Sequence, residues 1–333
     1  MTETNLIYCF GSSKSGQTTL HCDVNVPHHI SSYNARHIFA STNLSGYLSD
    51  NGSLLAWGTF DCGSGVNLFS QPQLFGQKIS RVDAFQTSIY IETFDGSVQK
   101  LGYQDSLYIS GSVKHIFAQF DQFCYLTKDN QTYLNTDKGF ELLPLATDEY
   151  TIYVRFPQFG PLILTNNRKL YLYSKNKLNL ISEAVITIAA THSRGFYLSY
   201  DGRIYEIFGN DSSQKIQITG IIGTPISLFA GGAHVGCVTY EGDCWTWGTG
   251  TSGQLGQGSF TNSPFPKPII LEKDIKVIEA TAGEAQTIIL TTMAKNFVPK
   301  MPKEMLQSQY GRIAQMKTLL PAAALPLEID AKF

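Results

Sequence analysis

Three glycines, Gly248, Gly250 and Gly253, form a G-x-G-x-x-G string directly after a strand-like run. That spacing can cradle a dinucleotide pyrophosphate, provided a helix follows and an acidic residue stands about 20 positions on. Here the string runs into further glycines and then Pro264, Pro266 and Pro268, which exclude the helix. The glycines therefore read as positive-φ positions of a structural loop, pinned to its sheet by Gln254 and Leu255. His21, Cys22, Asp23, His28 and His29 crowd one segment with side chains that ligate metals. Their spacing fits no common zinc pattern and Pro27 interrupts it. His234 stands alone before a strand, the position of a structural hydrogen-bonding group. No G-x-x-x-x-G-K-[ST], H-E-x-x-H or G-x-S-x-G string occurs. The sequence points to no enzyme, no cofactor and no metal.

The elements that carry these residues recur. From Ile226 the chain reads as an apolar strand, a small-residue turn, a second strand, a two-residue turn at Glu241-Gly242, a third strand and a glycine-rich loop. Weaker copies begin at His37, Arg81, His115, Tyr153 and Thr187. Their central turns fall at Asn51-Gly52, Asp95-Gly96, Asp129-Asn130, Asn166-Asn167 and Asp201-Gly202, the dipeptides of tight hairpins. A repeat of roughly 35 to 45 residues with several strands is a propeller blade. A seventh unit starts at Ile275 but stops after two strands, and Asn5–Gln17 supplies the strand and glycine loop it lacks. Joining the two in one sheet closes the ring and removes exposed edges. The expectation is an all-β, seven-bladed propeller over residues 1–292.

The segment 244–258, CWTWGTGTSGQLGQG, with AGGAH at 230–234, resembles the repeat of the regulator of chromosome condensation family. Residues 54–65 and 7–17 are partial copies, and the middle blades keep only the hydrophobic skeleton. The resemblance implies a seven-bladed propeller. Trp57 and Trp247 occupy the third-strand position, where they read as packing between blades.

Composition agrees with sheet. Hydrophobic residues make up 43%, charged residues only 16%, and there are 17 Tyr and 20 Phe. A net charge of −2 gives no general attraction to nucleic acid or acidic membrane. The N-terminus does not read as a secretory signal, and no apolar run approaches the ~20 residues of a membrane span. Six scattered cysteines (Cys9, Cys22, Cys62, Cys124, Cys237, Cys244) read as reduced thiols of the cytoplasm or nucleus. Residues 293–333 form a tail. Leu306, Tyr310, Ile313, Met316 and Leu320 follow helical spacing between Pro302 and Pro321, so one amphipathic helix is expected there.

Aligning the units puts the turns between first and second strands in register. The best copy has Gly231-Gly232-Ala233; the others have Phe85-Gln86-Thr87, Gln119-Phe120-Asp121 and Pro157-Gln158-Phe159. Three neighbouring blades thus place Phe85, Phe120 and Phe159 around one end of the channel. They are the candidate partner-binding residues, forming an aromatic patch of the kind that anchors protein interfaces. The competing reading folds these rings inward. The first functional reading is a non-catalytic interaction platform, a monomer or heterodimer. By the family resemblance, a compact propeller of this length is similar to the fungal members that pair with a small zinc-ribbon protein in wobble-uridine tRNA modification and diphthamide synthesis. The alternative is guanine nucleotide exchange on a Ran-like GTPase, the founding activity of the family. Its ultraviolet-photoreceptor branch needs a tryptophan-rich face, and this chain has three Trp.

Overall fold

A computed structural model of the chain describes residues 5–32, 34–61, 65–76, 78–85, 88–94, 98–101, 113–119, 122–136, 139–209 and 214–305. The strands form seven antiparallel sheets arranged as the blades of a propeller. Blades 1 to 6 follow chain order, with innermost strands Ala35–Ala40, Ile79–Phe85, Val113–Gln119, Thr151–Arg155, Val185–Ala190 and Pro225–Ala230. Blade 2 shows three strands among the described residues and each of the others four.

Blade 7 is built from both ends of the chain. Its inner strands are Ile275–Ala282 and Gln286–Met293, and its outer strands are Leu6–Gly11 and Val24–Ser32. Leu6 pairs with Thr291 and Gly11 with Gln286, so the first strand seals the ring beside the last. Both sealing strands lie between neighbouring blades. Ile7 to Phe10 are all buried, as are Gln286 to Thr292, which explains their nearly unbroken apolar and threonine runs.

The core is divided rather than central. Each of the seven interfaces between blades holds its own apolar cluster. Ile7, Cys9, Tyr47 and Trp57 meet between blades 7 and 1, and Phe196 and Trp247 between blades 5 and 6. The Phe196 and Trp247 rings meet edge to face at 6.1 Å. Both tryptophans thus pack between blades, as their strand position suggests.

The turns between second and third strands differ from the expected two-residue form. Ser49 N donates to Ser53 O and Gly52 N to Ser49 O, leaving three residues in the loop. Only the third has positive φ: Gly52 at 79°, Gly202 at 77° and Gly242 at 79°. This is a type I turn followed by a glycine bulge. A Ser or Thr opens each loop. In several, its hydroxyl accepts from the residue after the turn, as Thr239 Oγ1 does from Asp243 N at 3.2 Å. In blade 4 the positive φ falls on Arg168, at 60°, so the turn sits one residue later than Asn166-Asn167 suggests.

The glycine string of blade 6 leads into no helix. Ser263–Pro268, with its three prolines, is instead the outer edge strand, where a missing N–H costs nothing. After Met293, residues 294–305 cross the face that carries the second-to-third-strand turns. Phe297 lies over the Gly242 turn of blade 6, and Met305 Cε lies near the Gly202 turn of blade 5. Glu304 pairs with Arg168 of blade 4. Met301 and the buried Met305 join the cluster between blades 5 and 6. A helical turn begins at Lys303–Met305. The amphipathic stretch from Leu306 onward lies outside the described residues.

Candidate interaction surface

On the opposite face, the turns between first and second strands are wired to one another across blade boundaries. Gln158 N of blade 4 donates to His192 O of blade 5 at 2.6 Å, and His192 N to Gly232 O of blade 6 at 2.9 Å. Gly232 N then donates to Glu284 O of blade 7 at 3.0 Å. The Gln286 amide closes the sequence on Ser41 O and Leu44 O of blade 1, at 2.8 and 3.1 Å. Gln119 of blade 3 joins from the other side, donating to Ala190 O at 2.6 Å and accepting from Phe156 N at 3.0 Å. Half-exposed side chains sit on this belt, and the His192 and Glu284 pair spans blades 5 and 7 at 2.9 Å over the Gly232 backbone.

The glycines of the Ala-Gly-Gly-Ala-His motif follow from this wiring. A Cβ on Gly231 would press into the Gly283 carbonyl oxygen and the His234 ring. One on Gly232 would meet the Glu284 carboxylate. His234 itself is buried, its Nε2 2.8 Å from Thr287 Oγ1 of blade 7. Burial holds its pKa down at about 4.

Of the candidate aromatics, Phe159 is half-buried and packs with Ile152, Ile181 and Tyr205 against the cluster between blades 4 and 5, beside the exposed Gln158. Phe85 ends the inner strand of blade 2 in backbone terms, and its side chain lies outside the described residues, as does all of Phe120.

The channel is lined by every innermost strand and encloses about 520 Å³. All seven strands break register at one position, immediately before His37, Arg81, His115, Tyr153, Thr187, Ser227 and Glu279. A bulge re-aims the residues beside it. Here it sets one ring of equivalent side chains, charged or titratable on blades 7, 1, 2 and 3 and neutral on blades 4 to 6. His37 Nδ1 meets Glu279 at 2.6 Å. Burial works to lower the His37 pKa, but the hydrogen bond and charge of Glu279, aided by Asp83, outweigh it and the net shift is upward. Arg81 reaches His115 at 3.2 Å, and His115 lies 3.5 Å from Glu92. Two residues further along the strands stand Asp83 and Arg155. Burial raises the Asp83 pKa despite the nearby Arg155 and Arg81 charges.

Sequence reasoning singled out neither this ring nor the belt. The signal for the ring was present, since five of the repeat units open at these very residues. The belt is made mostly of backbone atoms, which leave little mark in residue type. Among the described residues, no group of three or more His, Cys, Asp or Glu side chains has metal-site geometry.

The architecture defines a class: a seven-bladed propeller closed by its own termini, with inter-blade clusters for a core. The sequence model of the regulator of chromosome condensation (RCC1) repeat matches residues 241–290. The chain is accordingly a seven-bladed propeller that carries an RCC1 repeat, spanning the end of blade 6 and the start of blade 7. The mouse E3 ubiquitin-protein ligase HERC2 is 40% identical over 68 residues, which cover 20% of this chain and 1% of that protein. Prp20p of Saccharomyces cerevisiae, whose structure was described together with its binding to Gsp1p and histones, superposes with a TM-score of 0.71 at 13% identity. The match covers 95% of this chain and 96% of that one. Human WBSCR16 gives 0.70 at 13% identity, covering 87% and 99%. At such identity the likeness is one of fold.

Proposed function

We propose that this propeller is a non-catalytic platform that holds a partner protein on the face of the first-to-second-strand turns. The observation that carries this reading is the hydrogen-bonded belt from Gln158 to Ser41. It fixes the turns of five blades relative to one another, so a partner meets a surface already in its bound shape. The opposite face is crossed over blades 4 to 6 by residues 294–305. Phe159, with Phe85 and Phe120 of the neighbouring blades, is the proposed aromatic anchor. Within this reading the family resemblance favours a small zinc-ribbon protein as partner, in wobble-uridine tRNA modification and diphthamide synthesis, with the complex in cytoplasm and nucleus.

Capture of native interactors at moderate salt tests the reading. A stoichiometric small zinc protein, lost on Phe120→Ala with Phe159→Ala while the melting temperature holds, supports it. A large loss of stability in that double variant instead makes the rings core. A second reading, nucleotide exchange, draws support from the overlay with Prp20p, a protein that binds Gsp1p. Accelerated GDP release from a Ran-type GTPase at sub-stoichiometric propeller would replace the platform reading with it.

A further inference from the structure

The positive charges of the channel outnumber the carboxylates placed to meet them. Arg36 spends its guanidinium on the carbonyls of Ile79 and Ser80, at 3.1 and 2.6 Å, tying blade 1 to blade 2. Glu279 is engaged by His37 and Glu92 by His115. Arg81, with one guanidinium nitrogen at the His115 ring, and Arg155 are left without a carboxylate. Among the described residues, neither has a carboxylate within 4.0 Å. Arg155 donates to its neighbour Val154 O and stands 5.3 Å from the Tyr153 ring, which leaves much of its fork of donors unspent. Asp83 lies close enough to feel both arginines, and burial raises its pKa against their pull.

We infer that the central channel is a binding site for a carboxylate, held between Arg81 and Arg155. The planar guanidinium matches a carboxylate with paired hydrogen bonds. Asp83 and Glu279 share the cavity and repel a dianionic head more than a singly charged one, which favours carboxylate over phosphate. The enclosed volume of about 520 Å³ suits a small molecule or a few residues of peptide. Thr187, Ala189 and Ser227 provide a small, uncharged wall for the rest of the ligand. The carboxylate belongs either to a small dicarboxylic acid or to an acidic side chain of an extended segment entering the channel mouth. This site stands apart from the platform reading, since a channel ligand binds whether or not a protein sits on the outer turns.

The test is calorimetric titration of the full chain in chloride buffer at neutral pH. The probes are succinate, neutral succinamide, and the capped peptide acetyl-Gly-Glu-Asp-Glu-Gly-amide. Saturable binding of succinate or of the peptide, with none of succinamide, is the expected result, and the probe that binds identifies the source. Arg81→Gln and Arg155→Gln should each weaken it about tenfold or more, roughly 1.4 kcal/mol, while Arg203→Gln, at an exposed position outside the channel lining, leaves it unchanged. Phenylglyoxal labelling of the unmutated protein gives a readout that no folding defect can confuse. The bound probe should protect Arg81 and Arg155 but not the exposed Arg194 and Arg203. Failure of both carboxylate probes to bind overturns the inference. So does binding undiminished in both arginine variants, or equal protection at Arg194 and Arg203.

Discussion

His234 of blade 6 gives its Nε2 proton to Thr287 of blade 7 across 2.8 Å, and the direction of that bond is set by a third group. The Thr287 hydroxyl already donates to Gln254 O, also at 2.8 Å, so only its lone pair is open to the imidazole. His234 is therefore the neutral Nε2–H tautomer, and one hydroxyl ties it to the glycine-rich loop.

Acid should break this tie. The pKa of His234 falls from 6.5 unfolded to about 4 folded, because burial penalises the charged ring. The unfolded state then takes up its proton first, and stability present above pH 6.5 is lost as pH falls towards 4. The full loss amounts to roughly 3 kcal/mol at about 1.4 kcal/mol per pKa unit. Urea unfolding at pH 7.5 and pH 4.5 should show a shallower pH dependence for His234→Gln, which keeps a donor for Thr287 but does not titrate.

The two motif glycines should respond differently to alanine. A methyl on Gly231 meets backbone, the Gly283 carbonyl, which has nowhere to go. Gly231→Ala should cost about 3 kcal/mol. A methyl on Gly232 meets the carboxylate of Glu284, the mobile end of a side chain. Gly232→Ala should cost about 1 kcal/mol, mainly through displacement of the Glu284 and His192 pair. Thermal unfolding of both variants decides the order.

Met305 is buried between blades 5 and 6 although the chain has already left the propeller. Met305→Ala should lower stability by roughly 2 to 5 kcal/mol. Met305→Asp should release residues 294–305 for early proteolysis near Lys300 while far-ultraviolet dichroism stays that of the propeller. Simultaneous loss of the sheet signal would show that the blades depend on this segment.

Thiol chemistry gives a simple check on the sheet interior. Burial pushes the Cys9 thiol up to about 12 and raises those of Cys124, Cys237 and Cys244 as well, whereas Cys22 is exposed. Thiolate is the reactive form. At pH 8 the native protein should be labelled at Cys22 within minutes, with the four buried thiols reacting only after unfolding. Peptide mapping reads the sites directly.

The ring was legible in the sequence because its cause is local. Strand alternation and turn residues repeat with a fixed period, and the unfinished last unit fits the unpaired first strand. The turn type was missed for an equally local reason. Asn-Gly suits a two-residue hairpin, and only the Ser or Thr two places earlier, at Ser49 or Thr239, marks the longer loop. The channel charges needed register. His37, Arg81 and Glu279 are ordinary surface residue types until seven bulges bring them to one level. The belt was out of reach, since Gln158 N and His192 O are backbone atoms that any residue possesses.

Because the opening strand finds one of its two hydrogen-bonding neighbours 285 residues later, the ring cannot close until the last blade has been made. At about 5 to 20 residues per second, Leu6–Gly11 waits roughly fifteen seconds to a minute with its apolar side chains unshielded. For that interval Leu6–Gly11 has only Val24–Ser32 beside it, and its other edge stays open to chaperones and to other nascent chains alike.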